Sequence, residues 1–424
     1  QYGWCGSNAS YCGAGCQNGP CSDTGGTGTG SGAFRRITYF PNWSGIDPST
    51  FQVNHFTHIV YAFAAISPVN YTVVPSEWWT DVSGGLYTRF TAAIKAKNPA
   101  VKPVLSIGGG DAVSAPRFSY VSATKARRTK FINSAIALAR KYGFQGIDVD
   151  WETPKGVPGR FSALIQDFRA AVDAEAARTG REKLTLSAAV PGYTGEIDSS
   201  FNIPTLNKVL DWVGIMTYDM HGEWEDVTGQ HTALEDKESP LASIKGSVPV
   251  FLAKGLSRSK LVLGLASYGH AWTLKNVGNH EVGAPAKGGP TMSYKEIVTF
   301  IANGATAEFD SPTSSMYAYK GTKWVGYDDP VTIAMKTLPH CTLSHLPSAL
   351  SLRLSRPFPF FSYPAPLILL PFPPLSLLHA ASGAGVEATP PTAVRDARTG
   401  RALLPSAASP TSPTGAASTP APSK

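Results

Sequence analysis

Charge is scarce in this chain: Asp, Glu, Lys and Arg together make up 16% of its 424 residues. That share, with 41 glycines and 10% aromatics, argues against a charge-rich disordered protein and suits a soluble, loop-rich enzyme. Dense basic blocks are missing too. The net charge is +7, yet Lys and Arg are scattered, so a solvated basic surface is expected and nucleic-acid binding is not. No GxGxxG or GxxxxGK(S/T) follows a strand-like run, which counts against nucleotide binding. The apolar stretch PLILLPFPPLSLLHA (366–380) is too short to span a bilayer and is broken by Pro371, Pro373 and Pro374, so no membrane anchor is expected. A monomer that needs no cofactor or metal is the expectation.

Cysteine is nearly absent outside one place. Cys5, Cys12, Cys16 and Cys21 crowd the N-terminus, and only Cys341 lies elsewhere. A module this small and cysteine-dense needs disulfides in place of a core, which implies an oxidising compartment. Three sequons, at Asn8, Asn42 and Asn70, agree with secretion to the extracellular space or cell wall. The chain starts at Gln1 without Met or signal sequence and reads as processed or incomplete.

Four segments follow from composition. Residues 1–22 form the cysteine module, and 23–33 are a Gly/Ser/Thr linker. Residues 34–336 alternate short β-branched runs with helix-like stretches. The strand candidates are 35–40, 57–66, 102–107, 146–152, 183–190, 211–219 and 260–269, and a helix is expected over 123–143. Nearly all-apolar strands alternating with helices signal a parallel sheet under a helical layer, here an α/β (β/α)8 barrel. An eighth strand is not apparent. In residues 341–380, 29 are Phe, Leu, Ser or Pro, the four amino acids encodable by pyrimidines alone. The segment 337–424 therefore reads as mistranslated or disordered, which leaves the barrel open at its first and seventh strands and the chain unstable or inactive.

One strand candidate stands apart. GFQGIDVDWE (143–152) places Asp148, Asp150 and Glu152 at alternate positions, with Ile147, Val149 and Trp151 between them. Alternate side chains share a face, about 6.5–7 Å apart, so the acids would line the barrel interior, rising toward the C-terminal mouth where barrel active sites lie. Crowded and partly desolvated, they cannot all stay ionised, and at least one pKa should rise. A raised carboxylic acid at the open end suits protonation of a leaving oxygen. A surface charge pattern and a Mg²⁺ or Ca²⁺ site are the rival readings.

GIDVDWE together with SIGG (106–109), MTYD (216–219), YFPNW (39–43), SAAVP (187–191) and WVGYDDP resembles the family 18 glycoside hydrolases, the chitinases. It is most similar to the fungal multidomain type with hevein-like modules. The resemblance covers residues 34–336 and departs from the family's DxxDxDxE at one place, where Gln145 stands for the first Asp. It implies Glu152 as proton donor, Asp150 orienting the substrate's N-acetyl group, Asp148 supporting Asp150, and Tyr218 bonding the N-acetyl carbonyl. Asp219, Met216, Trp224, Tyr39, Gly108 and Gly109 are implied substrate contacts. Trp43, Trp78, Trp79 and Trp272 are further candidates for sugar stacking. Residues 273–323 resemble the small α+β insertion of the deep-groove subgroup.

The N-terminal 22 residues resemble half of a hevein-like chitin-binding module, with Tyr2, Trp4 and Tyr11 as stacking aromatics. The implied pairing is Cys16–Cys21. Chitin and chito-oligosaccharides are the expected ligands. Two other functions stay open: a non-catalytic chitin-binding lectin on the same barrel, and an endo-β-N-acetylglucosaminidase.

Overall fold

A computed structural model describes residues 35–342 and 378–380. By its contacts the chain falls into two units, Gln1–Gly383 and Ala384–Lys424, and the described residues belong to the first. The cysteine module and the linker lie outside the described residues.

The expected strands form, each a few residues shorter or longer than its apolar run. They are β1 (Ile37–Pro41), β2 (His58–Ile66) with the short β3 (Val73–Pro75), β4 (Lys102–Gly108), β5 (Gly146–Asp150), β6 (Thr185–Pro191), β7 (Trp212–Met216) and β8 (Leu261–Ala266). Between them run α1 (Leu86–Lys97), α2 (Ser114–Ser122), α3 (Lys125–Lys141), α4 (Pro158–Thr179), α5 (Ile197–Ser200), α6 (Ile203–Val209) and α7 (Ile244–Ala253). Local signals set the helix ends. Thr124 caps α3 by accepting from Arg127 N, while α4 starts on Pro158 and stops at Gly180, whose φ is +66°.

The strand run expected over 260–269 divides at Ser267. There the chain leaves the barrel for β9 (Tyr268–Leu274), which pairs with β10 (Ala286–Gly288), β11 (Met292–Ser293) and β14 (Lys323–Tyr327). Strands β12 (Thr306–Asp310) and β13 (Ser315–Lys320) complete this antiparallel sheet. Helix α8 (Tyr294–Ala302) covers it, opened by a Ser293/Glu296 capping box. Helix α9 (Pro330–Thr342) follows.

The expectation of a missing eighth strand is corrected. Leu378–Ala380, β15, lies parallel between β8 and β1, with Leu378 opposite both Gly264 and Ile37. Since β1 also pairs with β2, the ring β1-β15-β8-β7-β6-β5-β4-β2 closes, and the expected instability from two open edges loses its ground. Two facing strand edges need only an extended backbone, whatever its side chains. Three residues amid prolines carry too little pattern to read as a strand.

Side chains divide as the alternation requires. Ile147, Val149 and Trp151 join the large apolar cluster shared with the helical layer. There Trp151 stacks on Phe118 of α2 with ring centroids 5.4 Å apart. Inside the barrel, Ile37, Val60, Val104, Trp212 and Val262 fill the N-terminal end, and Tyr39 packs above them. Among the described residues no helix is long and apolar enough to cross a membrane.

Candidate active site

Register places polar groups directly above that apolar plug. Ser106 of β4, Asp148 of β5 and Ser187 of β6 stand side by side. Asp148 is buried, and three hydroxyls donate to it: Ser106 Oγ at 2.8 Å, Ser187 Oγ at 2.6 Å and Tyr39 Oη at 3.0 Å. Burial raises its pKa, and those three bonds oppose the rise. Tyr39, an expected substrate contact, commits its hydroxyl to Asp148.

Asp150 sits one level higher, buried, with Oδ1 bonded to nothing. Burial lifts its pKa well above the ordinary range, and the charges of Glu152 and Asp148 lift it further. Its side chain shares a hydrogen bond with Glu152. Glu152 is half-buried just past the end of β5, and its pKa is raised mainly by burial. Asp219 and Asp111 add to that rise, while the bond with Asp150 opposes it. The two carboxyls thus hold a proton between them at a pH where ordinary carboxyls have lost theirs.

Tyr218 lies at the mouth past the end of β7, 8% exposed, and burial first, then Asp219, Asp150 and Glu152, keep its hydroxyl protonated. Met216 packs with Tyr218, Ala266 and Tyr268 to form an apolar floor. Asp219 Oδ1 accepts from Tyr268 Oη at 2.5 Å and from His270 Nε2 at 2.8 Å, and His231 Nδ1 lies 3.6 Å away. Burial alone would raise its pKa, but His231, His270 and Tyr268 around it hold it well below the carboxylate range. Trp224 is 61% exposed, its ring edge-on to His270 with centroids 5.8 Å apart.

The glycines of this loop have a packing role. A Cβ on Gly108 would lie 2.2 Å from Asp150 O, and its φ is +110°. Gly108 therefore lets β4 close tightly on β5. Gly109 N donates to Asp150 O at 3.0 Å. Gly110, which the motif did not single out, runs beneath Glu152: a Cβ there would lie 3.2 Å from Oε2. Gly108→Ala is expected to cost about 3 kcal/mol or more, from positive φ and a backbone clash together. A denaturation midpoint equal to that of the parent protein would refute this.

The other aromatics divide. Trp43, Trp78 and Trp79 are exposed. Trp272 is no platform: it is 1% exposed and meets Trp324 edge-on at 5.4 Å. Gln145 lies below the row, its Nε2 donating to Glu182 at 3.2 Å. Tyr2, Trp4 and Tyr11 lie outside the described residues. Missed by sequence were Ser106, Ser187, Tyr268, His231, His270 and Asp111. The two serines lie in SIGG and SAAVP, but only the strand register sets them beside Asp148. The Asn42 sequon is corrected as well, since Asn42 is buried and its Nδ2 donates to Ser76 and Asp81 at 3.0 Å. Asn70 is exposed on a turn.

This geometry agrees with the comparisons. The model of Glycosyl hydrolases family 18 matches residues 35–345. A class V chitinase of Medicago truncatula is 36% identical over 316 residues, 71% of this chain and 80% of that protein. Chitotriosidase-1 of Mus musculus is 33% identical over 321 residues, 70% of this chain and 68% of that one. The crystal structure of a Cycas revoluta family 18 chitinase in complex with (GlcNAc)3 superposes with TM-score 0.68 at 35% identity, covering 73% of this chain and 91% of its own. A chitinase-like agglutinin of Robinia pseudoacacia reaches 0.67 at 34%, covering 72% and 91%. By its matched family model, its relatives and its barrel, the chain belongs to glycosyl hydrolase family 18.

Proposed function

We propose that the protein is a chitinase that cleaves β-1,4 bonds between N-acetylglucosamine units with net retention, assisted by the substrate's own acetamide. The observation that carries this is the inward row Asp148–Asp150–Glu152, with the pKa values of the upper pair raised and Asp150 Oδ1 buried without a hydrogen-bond partner. Glu152 gives its proton to the glycosidic oxygen as the bond from C1 breaks. The acetamido oxygen closes on C1 to form an oxazolinium ion, so no second carboxylate near the bond is needed. Asp150 Oδ1 accepts the acetamide N–H and balances the developing positive charge. Tyr218 donates to the acetamide carbonyl, and Asp219, kept ionised, holds the sugar. Water then attacks C1, losing a proton to Glu152, and the ring reopens.

The proton shared by Asp150 and Glu152 fixes the sign of the pH response. A raised pKa keeps the acid form present up to higher pH, so kcat/KM falls as pH rises through the upper pKa of the pair. Hydrolysis of a chito-oligosaccharide, followed across pH with product anomers resolved, tests the reading. Retained β-anomers and a declining alkaline limb are expected. Activity rising steadily between about pH 5 and pH 9 would contradict an acid at this position.

Likeness to an agglutinin favours a second reading, a lectin on the same barrel. Chito-oligosaccharide binding without turnover would establish it. Secretion and a monomeric state are part of the proposal, supported by the cysteine cluster and the exposed Asn70 sequon. So are a hevein-like module at residues 1–22 and the fungal multidomain type, which rest on the cysteine and aromatic spacing alone; the relatives reported above are plant and mammalian. The β9–β14 sheet would wall one side of the groove and favour long chains.

A further inference from the structure

Three side chains able to ligate a metal converge where the chain leaves the barrel for the second sheet. One donor atom each of Asp219, His231 and His270 lie within 4.8 Å of one another. We propose that these three side chains bind a divalent transition-metal ion of the zinc type at the rim of the groove, with water as the fourth ligand. Zinc takes nitrogen and oxygen ligands at about 2.0–2.2 Å in a tetrahedron, which sets ligand atoms about 3.3 Å apart. Asp219 Oδ1 stands 3.6 Å from His231 Nδ1 and 2.8 Å from His270 Nε2, so small side-chain shifts suffice.

The surroundings orient both rings for such a role. His231 is fully buried, and its Nε2 lies 3.2 Å from the carbonyl of Tyr268. The N–H therefore points there, leaving the Nδ1 lone pair toward Asp219, whose backbone N–H donates to it weakly at 3.4 Å. His270 Nδ1 lies 3.2 Å from Glu223 Oε2. Metal-binding histidines usually give the far N–H to a carbonyl or carboxylate; His231 has that partner, while His270 Nδ1 is buried without a hydrogen bond and has the Glu223 carboxylate within reach. The Asp219 side chain is 36% exposed, which gives an ion its entry. Two imidazoles select zinc-type ions over Mg²⁺ and Ca²⁺. On the chitinase reading, an ion here takes Asp219 away from the sugar, so ion and substrate exclude each other.

Calorimetric titration of the full chain with ZnCl2, and with MgCl2 for comparison, tests the site. One saturable equivalent of zinc and no magnesium binding are expected. His231→Ala and His270→Ala should each weaken zinc at least about 10-fold, and Glu223→Gln, at an exposed position, about 10-fold. Circular dichroism checks that each variant folds. Should the buried histidine variants misfold, Co²⁺ added to the parent protein decides: strong visible absorption of a four-coordinate ion is expected, and its absence overturns the site. Failure to take up zinc overturns it too, as does uptake unchanged in the variants, which would move the ion elsewhere, for instance to His221 between Glu225 and Asp236. Zinc that binds equally well in saturating chito-oligosaccharide would leave the site standing and remove Asp219 from the sugar contacts.

Discussion

Glu152→Gln yields a folded protein that binds chito-oligosaccharides and scarcely cleaves them. Gln matches Glu in shape but has no proton to give the leaving oxygen, so kcat should fall by on the order of 10²–10⁴-fold. Binding should persist, because Tyr218, Asp219 and the exposed Trp224 are untouched. Asp150→Asn is a sharper probe of the neighbouring group: it keeps a hydrogen-bonding side chain but loses the charge that balances the oxazolinium ion, so kcat falls while KM changes little. Single-turnover hydrolysis alongside equilibrium binding separates the two effects. Parent-like turnover by Glu152→Gln would sink the acid assignment and leave the lectin reading.

That an inward row of carboxyls could be picked out from sequence reflects how few ways a strand can arrange its side chains. Apolar residues at 147, 149 and 151 had to meet helices, so 148, 150 and 152 had to face the lumen, and Trp151 against Phe118 shows it. What surrounds the row was harder to read. Ser106 and Ser187 reach Asp148 only because β4, β5 and β6 share a register, which a single strand cannot reveal. The conformation of Gly108 serves strand packing, though its motif resembles a ligand loop. The network on Asp219 joins residues 12 and 51 positions further along, brought together by the exit of β9. A buried run such as 260–269 looks alike on both sides of Ser267, so that exit left no mark in the pattern.

The second large effect lies away from the chemistry, at a pair hidden in the WVGYDDPVTIAMK segment. Lys336 of α9 and Asp328 after β14 are both fully buried and ion-paired. Lys336 Nζ also donates to Thr232 Oγ1 at 3.0 Å and Ser315 Oγ at 2.8 Å. This one ammonium thus ties together α9, the second sheet and the segment beside His231. Burial lowers its pKa, and Asp328 opposes that. Lys336→Met fills the space but leaves Asp328 buried without a counter-charge, and Asp328 Oδ2 already lacks a partner. The expected loss is about 3–5 kcal/mol, a fall in Tm on the order of 10 °C. One control makes the cause identifiable. Adding Asp328→Leu should recover most of the loss, because a well-packed apolar pair can replace a buried ion pair. If the double variant melts no higher than the single one, packing and not charge is what Lys336 supplies.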